Sequence, residues 1–313
     1  MDAFFIDCPI QKASFSLKHG DGIVLQGSCF SDEMLVKFSE TGHHVSGNEF
    51  GTIFHPSMIA HNLLNLFAES SHERILQRDD LFLSYDASSS IAAYSEEELK
   101  NKLVNTRLKM KENISNAKLL MVTFGTAWGY ELAETDELVA NCHKQPSSLF
   151  NKFLSSPYEM VQDWILTIEK LRILNPELQI VFTVSPVRHI RDGIVGNNLS
   201  KARLLEVVHQ LVLEPNCHYF PSYELLIDVL RDYRFYASDK VHPSSEAVQF
   251  IWEKLEHTYF SEDTMHLNKE VKALKEAEQH RGLFPESEGF KKHQAITKEK
   301  ITKLVRDFPQ IKW

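Results

Sequence analysis

The sequence predicts an α/β fold in which a mainly parallel sheet carries helices on its faces. Two observations predict it. Short apolar runs recur along the 313 residues, and stretches with helical apolar spacing separate them. An alternation of this kind favours parallel strands, because a helix must carry the chain back between them.

The elements follow in order. Ile23-Val24-Leu25-Gln26 reads as a short buried strand ending at Gly27, and Ser31-Asp32-Glu33 opens an amphipathic helix through Phe38. Pro56 starts a second helix, with Met58, Ile59, Leu63, Leu64 and Phe67 at helical spacing. Lys118 to Phe124 is an apolar run fit for a central strand, stopped at Gly125. Tyr158 to Leu174 is a helix, and Gln179 to Val184 a second central strand, ended by Ser185-Pro186. Leu199 to Leu213 is helical, His218-Tyr219-Phe220 is a short strand, and Ser244 to Phe260 is the closing helix. Residues 70–116 are polar, with Ser88-Ser89-Ser90 and a charged helix from Glu96, and read as an insertion covering one edge of the sheet. The organisation is therefore an α/β domain over residues 1–260, followed by a charged extension over 261–313. The extension reads as a solvated helical appendage or a lid.

Composition narrows the function. Hydrophobic residues make up 43% and charged residues 25%, so the chain can build an ordinary core. The formal net charge of -9 disfavours nucleic acid and anionic membrane as partners, since both select basic surfaces. No apolar stretch is long enough to span a membrane, and the N-terminus has no basic and apolar leader pattern, so a cytoplasmic protein is expected. Cys8, Cys29, Cys142 and Cys217 are far apart and form no CxxC pair, which argues against a zinc site or a disulfide framework. No histidine pair has metal-ligand spacing, so neither a metal nor a cofactor is expected.

Two segments carry chemistry. In Gln26-Gly27-Ser28-Cys29-Phe30-Ser31 a buried strand runs through a turn into a helix. Ligands of open α/β sheets bind at the carboxyl ends of strands, and a helix N-terminus there presents free N–H groups. Ser28 and Cys29 are both able to act as nucleophiles at such a turn, and a capping turn is the plainer reading. In Asp239-Lys240-Val241-His242-Pro243-Ser244 a carboxylate and an imidazole stand three residues apart before a helix. One short turn can then deliver a base and the group that orients it, and a capping Asp beside a surface His is the plainer alternative.

Taken together, the nucleophile turn first and the Asp-His turn last resemble the SGNH/GDSL hydrolases, and within them the GSCFA family. The resemblance rests on Gly27-Ser28-Cys29-Phe30-Ser31, with Ser31 where the family's eponymous motif has Ala. It extends through Phe50-Gly51-Thr52-Ile53-Phe54-His55-Pro56, Thr123-Phe124-Gly125-Thr126-Ala127-Trp128 and Asn141-Cys142-His143-Lys144-Gln145-Pro146. Thr183 to His189 and Arg231 to Tyr236 complete it, so that it spans residues 20–255.

The resemblance implies a three-layer α/β/α flavodoxin-like fold and hydrolysis or transfer of an acyl group on a small molecule or glycan. Cys29 takes the position of the superfamily's nucleophilic Ser, with Ser28 the alternative, Asp239 and His242 form the base pair, and the helix terminus and His242 should favour a Cys29 thiolate. Gly27 shapes the turn and Gly51 matches the glycine whose N–H serves the oxyanion. No Asn stands at the superfamily's second oxyanion position beside Gly125, which leaves Asn141, His143 or Arg188 to fill it. Arg188 and His189 follow a strand end and are expected to face the same crevice. The missing Asn keeps a second reading open, an SGNH-like scaffold that binds a carbohydrate or acyl ligand without turnover.

Overall fold

The computed structural model describes residues 6–68 and 73–313. The first five positions of the N-terminal reading and residues 70–72 of the expected insertion lie outside the described residues. The chain enters the central sheet through β1 (Gly22–Gly27), leaves along α1 (Cys29–Glu40) and returns as β2 (His44–Gly47). α2 (Pro56–Leu64) follows, with Pro56 in its first turn. An antiparallel trio comes next, β3 (Ile75–Arg78), β4 (Leu81–Ser84) and β5 (Ala92–Ala93), and then α3 (Glu96–Ser115). β6 (Ala117–Phe124) is central to the main sheet. A second antiparallel trio comprises β7 (Trp128–Leu132), β8 (Leu138–Val139) and β9 (Phe150–Leu154). α4 (Pro157–Leu174), β10 (Gln179–Val184), α5 (Gly193–Leu211) and β11 (Cys217–Tyr219) complete the winding. A one-turn helix α6 (Ser222–Glu224) runs into a π-helical turn over Leu225–Leu230. α7 (Ser245–Tyr259), α8 (Glu262–Gln279) and α9 (Glu288–Asp307) close the chain.

Across the main sheet the order is β11-β10-β6-β1-β2, and every neighbouring pair is parallel. Counted along the chain this is the flavodoxin-like order 2-1-3-4-5, with its switch point between β1 and β6. The strands alternate their side chains between two cores. Val24, Leu120, Val122, Phe124, Ile180 and Phe182 face α2 to α5, where Trp164 packs against Phe124 and Phe182. Ile23, Leu25, Leu119, Met121 and Val181 face α1 and α7, through Phe38, Ile251 and Trp252.

The stretch expected as an insertion divides in two. Its antiparallel strands form a small sheet, whereas α3 buries Leu99, Leu103, Met110 and Ile114 in the main core. The extension is solvated only in part: residues 280–296 are almost all exposed, whereas α8 is docked. α8, α9 and the C-terminal tail share a small core of Val271, Leu274, Leu304 and Ile311. They dock at the C-terminal end of α1: Asn268 bonds His43 at 2.9 Å, Lys275 donates to Ser39 O at 2.7 Å, and Lys312 N donates to Gly42 O at 2.9 Å. Cys29 opens the other end of α1, and twelve helical residues span roughly 18 Å. The extension therefore docks at the end of α1 opposite Cys29. No helix among the described residues is long and apolar enough to cross a membrane.

Candidate active site

Gly27 ends β1 with φ +129°, and Ser28 N then donates to Thr123 O of β6 at 3.1 Å. The turn sits at the switch point, where open sheets present their crevice. Asn48 Oδ1 accepts from Gly27 N at 2.9 Å, and Asn48 Nδ2 donates to Asp32 at 2.7 Å, so the loop after β2 holds the turn and the start of α1 together.

The two nucleophile candidates stand in different settings. Ser28 is buried and is the N-cap of α1, its Oγ accepting from Phe30 N at 3.4 Å. Cys29 is the first helical residue and is half-buried. Burial, and then the Asp32 carboxylate, push its thiol above the usual cysteine range, while its own backbone N–H and Lys201 pull it back. This corrects the expected thiolate. The helix terminus carries Asp32, whose charge opposes the N–H groups that would favour a thiolate.

The base pair is formed. Asp239 Oδ2 lies 2.7 Å from His242 Nδ1, and Oδ1 accepts from Val241 N at 2.9 Å and His242 N at 3.1 Å. These donors hold the Asp239 carboxyl down to about 2. A carboxylate facing Nδ1 assigns the proton there and leaves Nε2 as the basic nitrogen. Arg188 N donates to Val241 O at 3.2 Å, which ties this loop to the end of β10. Among the described residues no hydrogen bond joins His242 to Ser28 or Cys29.

The oxyanion candidates are differently placed. Gly51 has φ +74°, and its N–H donates to Asn48 O at 2.7 Å, so that group is engaged. The N–H groups of Gly125 and Thr126 both donate to Phe54 O, at 2.9 and 3.1 Å. Phe54 comes so close that a Cβ on Gly125 would lie 2.9 Å from its side chain. Asn141 Oδ1 accepts from His143 N at 2.7 Å. His143 is fully buried, with Nε2 2.8 Å from Ser84 O and Nδ1 3.0 Å from Ser89 Oγ. A carbonyl opposite Nε2 makes that nitrogen the donor, so both ring nitrogens serve the β4 region, and burial lowers the imidazole's pKa. Arg188 donates to Tyr236 OH at 2.9 Å and lies over the rings of Tyr236 and Tyr233, at 4.3 and 5.4 Å. Outside this set, the Cys29 N–H has no hydrogen-bond acceptor in another residue among the described residues.

Three neighbours were not singled out from the sequence. Phe54 covers Gly125 and lies 6.3 Å, ring to ring, from His189. Asp192 stands 3.2 Å from His189 Nδ1 and also pairs with Lys152. Lys201 is buried beneath the strand ends. Its signal was the stripe Asn197, Lys201, Leu204, Val208 and Leu211, where polar residues continue the buried face of α5 toward the carboxyl edge. Among the described residues no group of three or more His, Cys, Asp or Glu could hold a metal ion.

The fold and the site define a flavodoxin-like α/β protein with the Gly27-Ser28-Cys29 turn at its switch point and an Asp-His pair tied to the end of β10. The chain belongs to the GSCFA family, which matches residues 22–255. Among curated proteins none matches it. Among solved structures it is similar to a carbohydrate esterase family 3 protein from Talaromyces cellulolyticus, at 10% identity and a TM-score of 0.38, covering 79% of this chain and 98% of that one. The periplasmic domain of a lipopolysaccharide acetyltransferase from Salmonella ser. Paratyphi A gives 10% identity, a TM-score of 0.37 and coverage of 77% and 84%. The acetyl xylan esterase Est2A from the rumen bacterium Butyrivibrio proteoclasticus gives 10%, 0.39, and coverage of 86% and 67%.

Proposed function

We propose that this chain hydrolyses or transfers the acyl group of an ester, on a small molecule or a glycan, with Cys29 as the nucleophile. The observation that carries this reading is the Asp239–His242 pair, clamped at 2.7 Å and tied through Arg188 N to the strand-end edge that displays Cys29. A plain binding protein has no use for an oriented imidazole with a free Nε2. Cys29 Sγ attacks the acyl carbonyl and its thiol proton passes to Nε2 of His242. The tetrahedral intermediate expels the alcohol, which takes that proton, and leaves a thioester. Water, deprotonated by the same Nε2, then releases the carboxylic acid and the thiol; an acceptor hydroxyl in place of water gives transfer. The Cys29 N–H is the donor nearest to hand for the oxyanion.

One observation favours the second reading, a ligand-binding scaffold. The N–H groups of Gly51, Gly125 and Thr126 are already spent within the protein. Hydrolysis of p-nitrophenyl acetate, with intact mass read during turnover, separates the two. The enzyme reading expects an acetyl adduct on the wild type, and at least a thousandfold slower turnover in Cys29→Ala, on the order of a lost nucleophile. Turnover that survives in Cys29→Ala overturns the assignment of Cys29, and no turnover or adduct with any acyl ester tried supports the scaffold.

A separate outcome concerns Asp239. Asp239→Asn removes the group that fixes the His242 tautomer, so kcat should fall by about 10²–10⁴ with KM little changed. Because the carboxyl stays ionised down to about 2, Asp239 itself should add no acid limb to the rate profile above about pH 3. A KM effect alone would place Asp239 outside the reaction.

A further inference from the structure

Arg188 follows β10 and meets the Asp-His turn twice. Its main-chain N–H donates to Val241 O at 3.2 Å, and its guanidinium lies over the Tyr236 ring, 4.3 Å from the centroid. Tyr236 is buried and bridges to Pro243, the residue after His242, while Ala237 N donates to His242 O at 2.8 Å. The guanidinium is therefore held against the segment that closes on His242. Tyr233 adds a second ring at 5.4 Å, and Tyr236 OH accepts one N–H at 2.9 Å.

The partners of the guanidinium stop there. Arg188 is half-buried, and the other half-buried arginines all reach a carboxylate or a main-chain carbonyl. Arg74, Arg107 and Arg172 pair with carboxylates, and Arg78 and Arg203 donate to carbonyls. Arg188 has neither among the described residues. The acids nearby in the chain are engaged elsewhere: Asp239 by His242, Asp232 by Arg234 and Asp192 by Lys152. A guanidinium carries five N–H donors, so most of them stay open once Tyr236 is served. Packing on two rings restrains its plane, and its open edge matches the oxygens of a carboxylate or a phosphate.

Resting on the assignment of this edge to acyl-ester chemistry, we propose that Arg188 sets the substrate class: its guanidinium binds an anionic group, a carboxylate or a phosphate, that the ester carries beside the bond to be cleaved. A neutral ester leaves those donors to water. On a chain of formal net charge -9, this unpaired cation beside His242 gives an anionic ester a place to dock.

The test compares p-nitrophenyl hexanoate with mono-p-nitrophenyl adipate, which differ by a terminal carboxylate in place of a methyl group. Both are given to the wild type, Arg188→Met and Arg188→Lys, and each variant keeps the main-chain N–H on Val241. The wild type should favour the adipate ester in kcat/KM by about ten- to hundredfold, the scale of a charge-assisted pair. Arg188→Met should abolish that ratio, chiefly through KM for the adipate ester. Arg188→Lys should keep part of it, since an ammonium has no fork. A wild type without the preference overturns the proposal. So does an Arg188→Met protein in which both esters slow alike, which makes Arg188 a clamp of the turn. Should Arg188→Met not fold, Arg188→Lys carries the test, and an undiminished ratio there overturns the proposal. Where neither ester is cleaved, calorimetric titration with adipate and with inorganic phosphate decides. Binding that Arg188→Met loses upholds the anion site while the ester assignment fails, and the tighter of the two names the group. No binding of either by the wild type overturns the anion site as well.

Discussion

Gly27→Ala should abolish folding or reduce stability by more than about 4 kcal/mol, the range reserved for strained or sterically impossible substitutions. At φ +129° the backbone is in a region that L side chains rarely enter, and a Cβ there would lie 2.1 Å from Thr123 O. That oxygen is on rigid backbone of the central strand, and it accepts from Ser28 N at 3.1 Å. Relief would require β1 and β6 to part at the place where Cys29 is displayed. The check is a pair of urea titrations, with Gly289→Ala as control. Gly289 lies in the first turns of α9 with nothing within 4 Å of an added Cβ, so the control should be neutral or slightly stabilising. A Gly27→Ala protein within 1 kcal/mol of the wild type would show that the turn does not have this geometry.

The same turn shows why much of the fold was legible in the sequence. The strands expected in the main sheet are largely apolar, because helices cover both faces, and such runs announce themselves. Gln179–Val184 is observed as read, and the strand ending at Gly27 is one residue longer at each end. β2 escaped notice because His44-Val45-Ser46-Gly47 is an edge strand with only Val45 as an apolar residue. The antiparallel trios escaped for a related reason. Leu138–Val139 and Ala92–Ala93 are two-residue strands, too short for any period to register. The extension was misjudged because Val271, Leu274, Leu304 and Ile311 are too few to read as a stripe, although folding gathers them into one cluster.

Site residues were legible where local chain geometry brings the partners together. Asp239 and His242 are three apart in one turn, and the turn closes on itself through Ala237 N to His242 O at 2.8 Å. What the sequence leaves open is which N–H groups stay free. Phe54 O takes those of Gly125 and Thr126 from a segment far away in the chain, and Asn48 O takes that of Gly51 within a local turn. His143 shows the opposite hazard. A histidine beside an expected site is a fully buried core residue, held by Ser84 O and Ser89 Oγ. Only its tertiary partners reveal that.

Acidification from pH 7 to pH 4.5 should destabilise the fold by about 4 kcal/mol or more, a large share of the 5–15 kcal/mol that a domain typically has. Three buried histidines set this. His43 is 1% exposed, stacks on His19 at 4.3 Å and on Phe260 at 4.9 Å, and bonds Asn268 at 2.9 Å. Burial, and then the neighbouring His19, hold it down to about 3. His55 receives Ser57 N on Nδ1 and faces Ser155 on Nε2, and burial holds it down to about 4. His19 is lowered as well, through burial. Each is neutral when folded and titrates near 6.5 when unfolded. Stability is therefore full above about 6.5 and falls with decreasing pH, by about 1.4 kcal/mol per pH unit for each histidine, until the folded pKa is reached. Urea titrations at pH 7, 6, 5 and 4.5 should trace that slope. His43→Phe should flatten it by one histidine's worth while lowering stability at pH 7, since Asn268 loses a partner. A stability that stays flat from pH 7 to pH 4.5 would mean that these rings protonate in place. The joint between α1 and the extension, where His19, His43 and Asn268 meet, would then be open to water.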